Sequence, residues 1–124
     1  MAKHKILLVD DEKDLVETLT FRLVSNNFDV ISAYDGEKAL GKIKEHRPDL
    51  IILDLMLPKL DGYKVCRICK FDEDLKKIPI ILFTARAQES DNKQGEEVGA
   101  DAYITKPFEP QILLGKIKEL LKIE

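Results

Sequence analysis

At 124 residues, with 44% hydrophobic and 35% charged side chains, the chain can form one globular domain around a single core, with no need of disulfide staples. No apolar run approaches the roughly 20 residues of a membrane span, and Met1-Ala2-Lys3-His4 leads into a strand rather than a signal peptide, so a cytoplasmic setting without a membrane partner is expected. A net charge of −3 supplies no global attraction for nucleic acid, which argues against direct nucleic-acid binding by this chain.

The segment from Lys5 to Val9 reads as a strand buried on both faces, because its apolar run is unbroken, and it ends in Asp10-Asp11-Glu12. Leu15, Leu19 and Leu23 follow at helical spacing, joined by Val16 and Phe21, which predicts an amphipathic helix to about Ser25, stopped by Asn26-Asn27. Asp29 to Ala33 reads as a shorter and more polar strand, suited to a sheet edge. Asp35-Gly36 opens a helix carrying Ala39, Leu40 and Ile43, which Arg47-Pro48 stops. The central strand is Leu50-Ile51-Ile52-Leu53-Asp54, an apolar run that closes on a carboxylate. Pro58 and Asp61-Gly62 then turn the chain into a helix with Tyr63, Val65, Cys66, Ile68 and Cys69. Pro79 to Thr84 is another buried strand, apolar until its last residue. A polar stretch over 86–97 precedes Val98-Gly99-Ala100, and Ala102-Tyr103-Ile104-Thr105 forms a short final strand. Lys106-Pro107 follows, Pro110 takes the first helical position, and Leu113, Leu114, Ile117, Leu120 and Leu121 line one face of the last helix.

Five β-α alternations predict an α/β fold: a doubly wound parallel sheet with helices on both faces, linked by right-handed crossovers. The polar second strand belongs at an edge and the three apolar runs inside, which gives the flavodoxin-like (βα)5 order 2-1-3-4-5 in a single domain spanning 1–124. No internal repeat, low-complexity segment or linker interrupts it. Cys66 and Cys69 have C-x-x-C spacing, but no further ligands complete a zinc site. They also fall inside a helical segment rather than at the helix N-terminus where a thiolate is stabilised, so structural thiols are expected.

In the proposed order the strand ends bring Asp10, Asp11, Asp54, Thr84 and Lys106 to one rim. Each alone has a bland reading: a helix-capping Asp, a turn Thr, a surface Lys. Together, three crowded carboxylates would raise one another's pKa unless a cation intervenes. Oxygen-only ligands suit a hard ion such as Mg²⁺. The lysine suits an arriving carboxylate or phosphoryl group, so the set matches phosphoryl transfer to an aspartate.

Val9-Asp10-Asp11-Glu12, Leu53-Asp54-Leu55-Met56-Leu57-Pro58, Asp61-Gly62, Phe83-Thr84-Ala85 and Gly99 to Phe108 resemble the receiver domain of two-component response regulators, the chemotaxis-regulator-like kind. The resemblance runs in order over essentially the whole chain. It implies that Asp54 accepts a phosphoryl group from a sensor histidine kinase's phosphohistidine, or from a phosphotransfer protein, in a reaction dependent on Mg²⁺, with Mn²⁺ as the substitute ion. It implies that Asp10, Asp11, Asp54 and the Met56 backbone carbonyl hold the metal, that Thr84 and Lys106 contact the phosphoryl oxygens, and that the Lys106-Pro107 peptide is cis. Thr84 and Tyr103 would form the switch, altering the surface of the fourth helix, fifth strand and fifth helix, which would also serve a homodimer. Met56 and Arg86, each two residues beyond a site residue, would tune phosphoryl lifetime. Such a domain catalyses its own phosphorylation and dephosphorylation and is not a turnover enzyme.

Two departures from the family pattern stand out. The segment from Ser90 to Gly99 lacks the apolar helix face expected there, which predicts a short or mobile fourth helix. Glu109 occupies a capping slot where Ser or Asp is common. A phosphatase resembling the haloacid dehalogenase family would need an acid where Met56 stands. A nucleotide or flavin carrier is disfavoured by the absence of a phosphate-binding glycine loop. The remaining alternative is a degenerate receiver that acts only as a protein-docking module. Signal, cognate kinase and output are not readable, and the chain fits either a complete single-domain regulator or the receiver of a longer protein.

Overall fold

The apolar runs become the strands of one five-stranded, all-parallel sheet ordered β2-β1-β3-β4-β5, where β1 is Lys5–Val9, β2 Asp29–Ala33, β3 Leu50–Asp54, β4 Ile80–Thr84 and β5 Ala102–Thr105. The computed structural model describes residues 3–84 and 99–123. Among these the helices are α1 Lys13–Ser25, α2 Gly36–His46, α3 Gly62–Lys70 and the C-terminal α4 Pro110–Leu121. The helix expected over the polar stretch before β5, with its predicted shortness, lies outside the described residues. This is the flavodoxin-like doubly wound order read from the strand polarity.

Side-chain alternation along the strands divides the core between the two faces. Leu7, Val9, Ile51, Leu53 and Leu82 pack with Ala39 and Ile43 of α2 and with Val65, Cys66 and Cys69 of α3. Ile6, Leu8, Leu50, Ile52, Ile81 and Phe83 pack on the other side with Val16, Leu19 and Leu23 of α1 and with Leu113 and Ile117 of α4. Three expectations need correction. β2 is not shorter than its neighbours: it has five residues like β1, paired along its whole length, and its edge position alone accounts for its half-exposed pattern. Phe21 does not join the buried stripe of α1 and is 76% exposed, since two helical steps turn it about 200° from Leu19. Ile68 is exposed for the same reason, two residues beyond Cys66.

Neither Cys66 nor Cys69 forms a disulfide, and both are fully buried. Burial pushes their thiols up to about 12 and about 11, against the opposing pull of the Lys70 charge, so both are inert core residues at neutral pH. Local turns follow the expected residues. Asp35 caps α2 by accepting from Lys38 N at 2.8 Å, and Asp61 caps α3 by accepting from Lys64 N at 3.0 Å. Glu109 makes no such bond, and Pro110 starts α4 as read.

One tie was invisible in the sequence. Lys70 Nζ, at the end of α3, lies 2.7 Å from Asp101 Oδ2 and also donates to the carbonyl oxygens of Ile78 at 2.8 Å and Lys76 at 3.2 Å. The same carboxylate accepts from Ile80 N at 2.8 Å. One largely buried ammonium thereby joins the α3–β4 connection to the entry of β5. Lys70→Met is expected to cost roughly 1–3 kcal/mol, because it strands a carboxylate and two carbonyls. Lys116→Met, which breaks the exposed Lys116–Glu119 pair at 2.9 Å, should cost under about 1 kcal/mol. Urea unfolding of both variants checks this, and equal losses would contradict it.

Candidate functional site

The register of the sheet sets the height of every strand end. Val9 pairs with Leu53, so Asp10 follows β1 at the level where Asp54 closes β3. Asp54 pairs with Phe83 and Thr84 with Thr105, so Lys106 leaves β5 at the same rim. Asp10 is fully buried, Asp54 is 5% exposed, and Asp11 is exposed. Carboxylate oxygens of Asp10, Asp11 and Asp54 lie within 4.8 Å of one another.

Each carboxylate has defined partners. Asp10 Oδ1 accepts from Glu12 N at 2.9 Å, and its Oδ2 accepts from Lys106 Nζ at 2.6 Å. Asp54 Oδ1 accepts from Met56 N at 3.2 Å, and its Oδ2 lies 3.5 Å from Lys106 Nζ. Glu12 Oε1 also stands 3.5 Å from Lys106. Glu12 is the N-cap residue of α1, yet it makes no side-chain cap bond and points its carboxylate at the lysine. Sequence reasoning missed this role. Lys106 is further placed over the Phe83 ring, 5.7 Å from its centroid, and Phe83 packs on Phe108 at 4.9 Å. The Lys106-Pro107 peptide is cis.

The electrostatics follow from this crowding. Burial pushes the Asp54 carboxyl up from an ordinary 3.8 to about 6; the Asp10 charge adds to the rise, while Lys106 and the Met56 N–H oppose it. Burial would lower the Lys106 ammonium, but the hydrogen bond to Asp10 and the charges of Asp10, Asp54 and Glu12 outweigh it and raise it. Among the described residues one ammonium faces several carboxylates, so negative charge stays in excess there. An all-oxygen cluster with excess negative charge fits a hard divalent cation.

The supporting loops are held tightly. Gly62 N donates to Leu55 O at 3.1 Å, and a Cβ on Gly62 would run into the Asp54 carbonyl oxygen. Gly36 is pressed on Leu60 in the same way. Met56 projects its side chain outward, 77% exposed, beside the acidic rim. Tyr103 on β5 is half-buried, its hydroxyl 3.0 Å from that of Tyr63. Thr84 ends β4 at the rim; the expected contacts of its hydroxyl, and the tuning role of Arg86, lie outside the described residues.

The chain belongs to the response regulator receiver domain family, whose model matches residues 6–118. It is 46% identical over 118 residues to the alkaline phosphatase synthesis transcriptional regulatory protein PhoP of Bacillus subtilis, covering 95% of this chain and 48% of PhoP. It spans about half the length of the curated relatives it matches. Among solved structures it is similar to the signal receiver domain of a signal transduction histidine kinase from Syntrophus aciditrophicus, at TM-score 0.90 and 36% identity, covering 96% of this chain and 90% of that one. The BeF3-activated DrrB receiver domain matches at TM-score 0.88 and 35% identity, covering 98% and 99% of the two chains. Receiver domains take part in two-component signal transduction, interact with histidine kinases and bind Mg²⁺ through acidic residues. No helix among the described residues is long and apolar enough to cross a membrane.

The raised Asp54 carboxyl has a stability consequence. Between pH 3.8 and about 6 Asp54 is more protonated in the folded chain than in the unfolded one, so its contribution to stability falls as pH rises through that window. In chelator at pH 7, Asp54→Asn is expected to be more stable than the parent by roughly 1–3 kcal/mol, a gain that shrinks toward pH 4. Urea midpoints at the two pH values check this. A variant no more stable than the parent at pH 7 would contradict it.

Proposed function

We propose that the chain, residues 1–124, is one receiver domain working as a phosphorylation-operated switch, with Asp54 as the phosphoacceptor. The observation that carries this reading is the convergence of Asp10, Asp11, Asp54 and Lys106 from three strand ends into one half-buried cluster. The phosphoryl donor is the phosphohistidine of a sensor histidine kinase or phosphotransfer protein. Asp54 Oδ2, the oxygen facing Lys106, attacks phosphorus. The P–N bond breaks, and its electron pair stays on the leaving imidazole nitrogen. Asp54 Oδ1 is meanwhile held by the Met56 N–H, which orients the carboxylate. Lys106 transfers from Asp10 and Asp54 to the phosphoryl oxygens, with the Thr84 hydroxyl as a second contact.

Asp10, Asp11 and Asp54, with the Met56 backbone carbonyl, would hold Mg²⁺ (or Mn²⁺), which when bound supplies neutralisation of the charge on the transferring group. The domain is thus a self-modifying phosphoacceptor rather than a turnover enzyme. Met56 and Arg86 tune the lifetime of the acyl phosphate. Thr84 and Tyr103 relay the change to the face that includes β5 and α4, a surface open to effectors or to a second copy of the chain. The binding of BeF3, a tetrahedral stand-in for a phosphoryl group, by the related DrrB domain supports the chemistry. The name of PhoP, a transcriptional regulatory protein, supports transcription as the output; on this reading the domain works in the cytoplasm.

Incubated with acetyl phosphate and Mg²⁺, the parent is expected to gain one phosphoryl group by intact mass. Asp54→Ala, and the parent in chelator, should gain none. Retention of the added mass by Asp54→Ala would overturn the assignment. Failure of the parent to react, beside a receiver that does, would favour the docking-module alternative.

A further inference from the structure

Glu12 stands at the position of a helix cap and does not act as one. It precedes α1 in extended backbone, and its side chain makes no bond to the first turn. Its Oε1 instead lies 3.5 Å from Lys106 Nζ, 94 residues away in the chain. The adjacent Lys13 is engaged elsewhere, its ammonium 5.7 Å from the centre of the Tyr34 ring. Glu12 is also tied to the acidic cluster through its backbone, since its N–H donates to Asp10 Oδ1 at 2.9 Å. Lys106 therefore has three carboxylates around it: Asp10 at 2.6 Å, and Asp54 and Glu12 at 3.5 Å each. Asp10 and Asp54 belong to the cluster that fits a divalent cation, and Glu12 lies outside it. A cation held by that cluster would compete with Lys106 for Asp10 and Asp54, and would leave Glu12 to the ammonium.

We propose that Glu12 is a positioning residue that retains the Lys106 ammonium, favouring the divalent cation and opposing the phosphoryl group. The proposal rests on the phosphoacceptor reading above. For each ligand two effects act in the same direction. Glu12 draws Lys106 away from Asp10 and Asp54 and adds negative charge beside them, and both aid a cation. The same pull and the same charge work against an anionic group on Asp54, which needs that ammonium and is repelled by a nearby carboxylate. The Lys106 side chain is 15% exposed and that of Glu12 66%, so solvent screens the pair and its effect is moderate. It corresponds to roughly a two- to fivefold change in affinity, opposite in sign for the two ligands.

The test compares the full chain with Glu12→Gln and with Glu17→Gln, which alters an exposed acid further along α1. Backbone-amide NMR shifts at low ionic strength follow two titrations: Mg²⁺ alone, and beryllofluoride at saturating Mg²⁺. Glu12→Gln should bind Mg²⁺ roughly two- to fivefold more weakly than the parent and beryllofluoride roughly two- to fivefold more tightly. Glu17→Gln should match the parent in both. A carboxylate that served only the start of α1 would alter thermal stability and leave the two affinities unmoved. Any other pattern in Glu12→Gln (no change, one change alone or two of the same sign) overturns the proposal, as does the same pair of changes in Glu17→Gln. Should the parent itself not bind beryllofluoride, it is the Asp54 reading that fails. The Mg²⁺ titration then decides the role of Glu12 alone: weaker binding by Glu12→Gln supports it, and binding equal to the parent overturns it.

Discussion

The contact between the Lys106 ammonium and the buried carboxylates of Asp10 and Asp54 is the interaction on which the site depends. Removing one charge from water is costly unless it is paired and hydrogen-bonded, and here two carboxylates are buried with one ammonium between them. The sharing is unequal. Asp10 takes the short contact, at 2.6 Å, together with the Glu12 N–H, whereas Asp54 has the 3.5 Å approach and a longer bond from Met56 N. Asp54 is thus the less compensated partner, and burial with the nearby Asp10 charge pushes its carboxyl up to about 6. A cation bound beside Asp54 would relieve that imbalance.

The scaffold holds this imbalance in place through backbone packing. Parallel pairing brings the ends of β1, β3 and β5 to one level, consistent with ligands in such sheets binding outside the carboxyl strand ends. Gly36 and Gly62 let the two turns behind the rim close onto Leu60 and onto the Asp54 carbonyl, where any side chain would push the loops apart. Lys70 performs a related service at the opposite end of β5 by fixing Asp101 to the start of β4. The acidic rim is therefore carried by elements whose heights are set from both ends of the sheet.

Much of this was legible because it is written in local patterns. Unbroken apolar runs ending in Asp10, Asp54 and Thr84 identified the inner strands, and the polar Asp29 to Ala33 marked an edge. Asp35-Gly36 and Asp61-Gly62 announced helix starts that the capping bonds bear out. What escaped the sequence was long-range or angular. Phe21 reads as core by hydrophobicity and is solvent-facing by helical angle. The Lys70–Asp101, Glu12–Lys106 and Tyr63–Tyr103 contacts join residues far apart in the chain, and no spacing rule brings a lysine, a glutamate or a tyrosine together with such a partner. They appear only once the sheet has placed its neighbours.

The central claim is that Asp54 carries uncompensated charge, which a divalent ion held beside it would neutralise. Its most direct test is the titration of the Asp54 side-chain carboxyl carbon by NMR, in chelator and in Mg²⁺. The account predicts a midpoint near 6 in chelator, and a midpoint at least about one unit lower in Mg²⁺, since a bound cation favours the ionised form. A midpoint near the ordinary 3.8, indifferent to Mg²⁺, would contradict it.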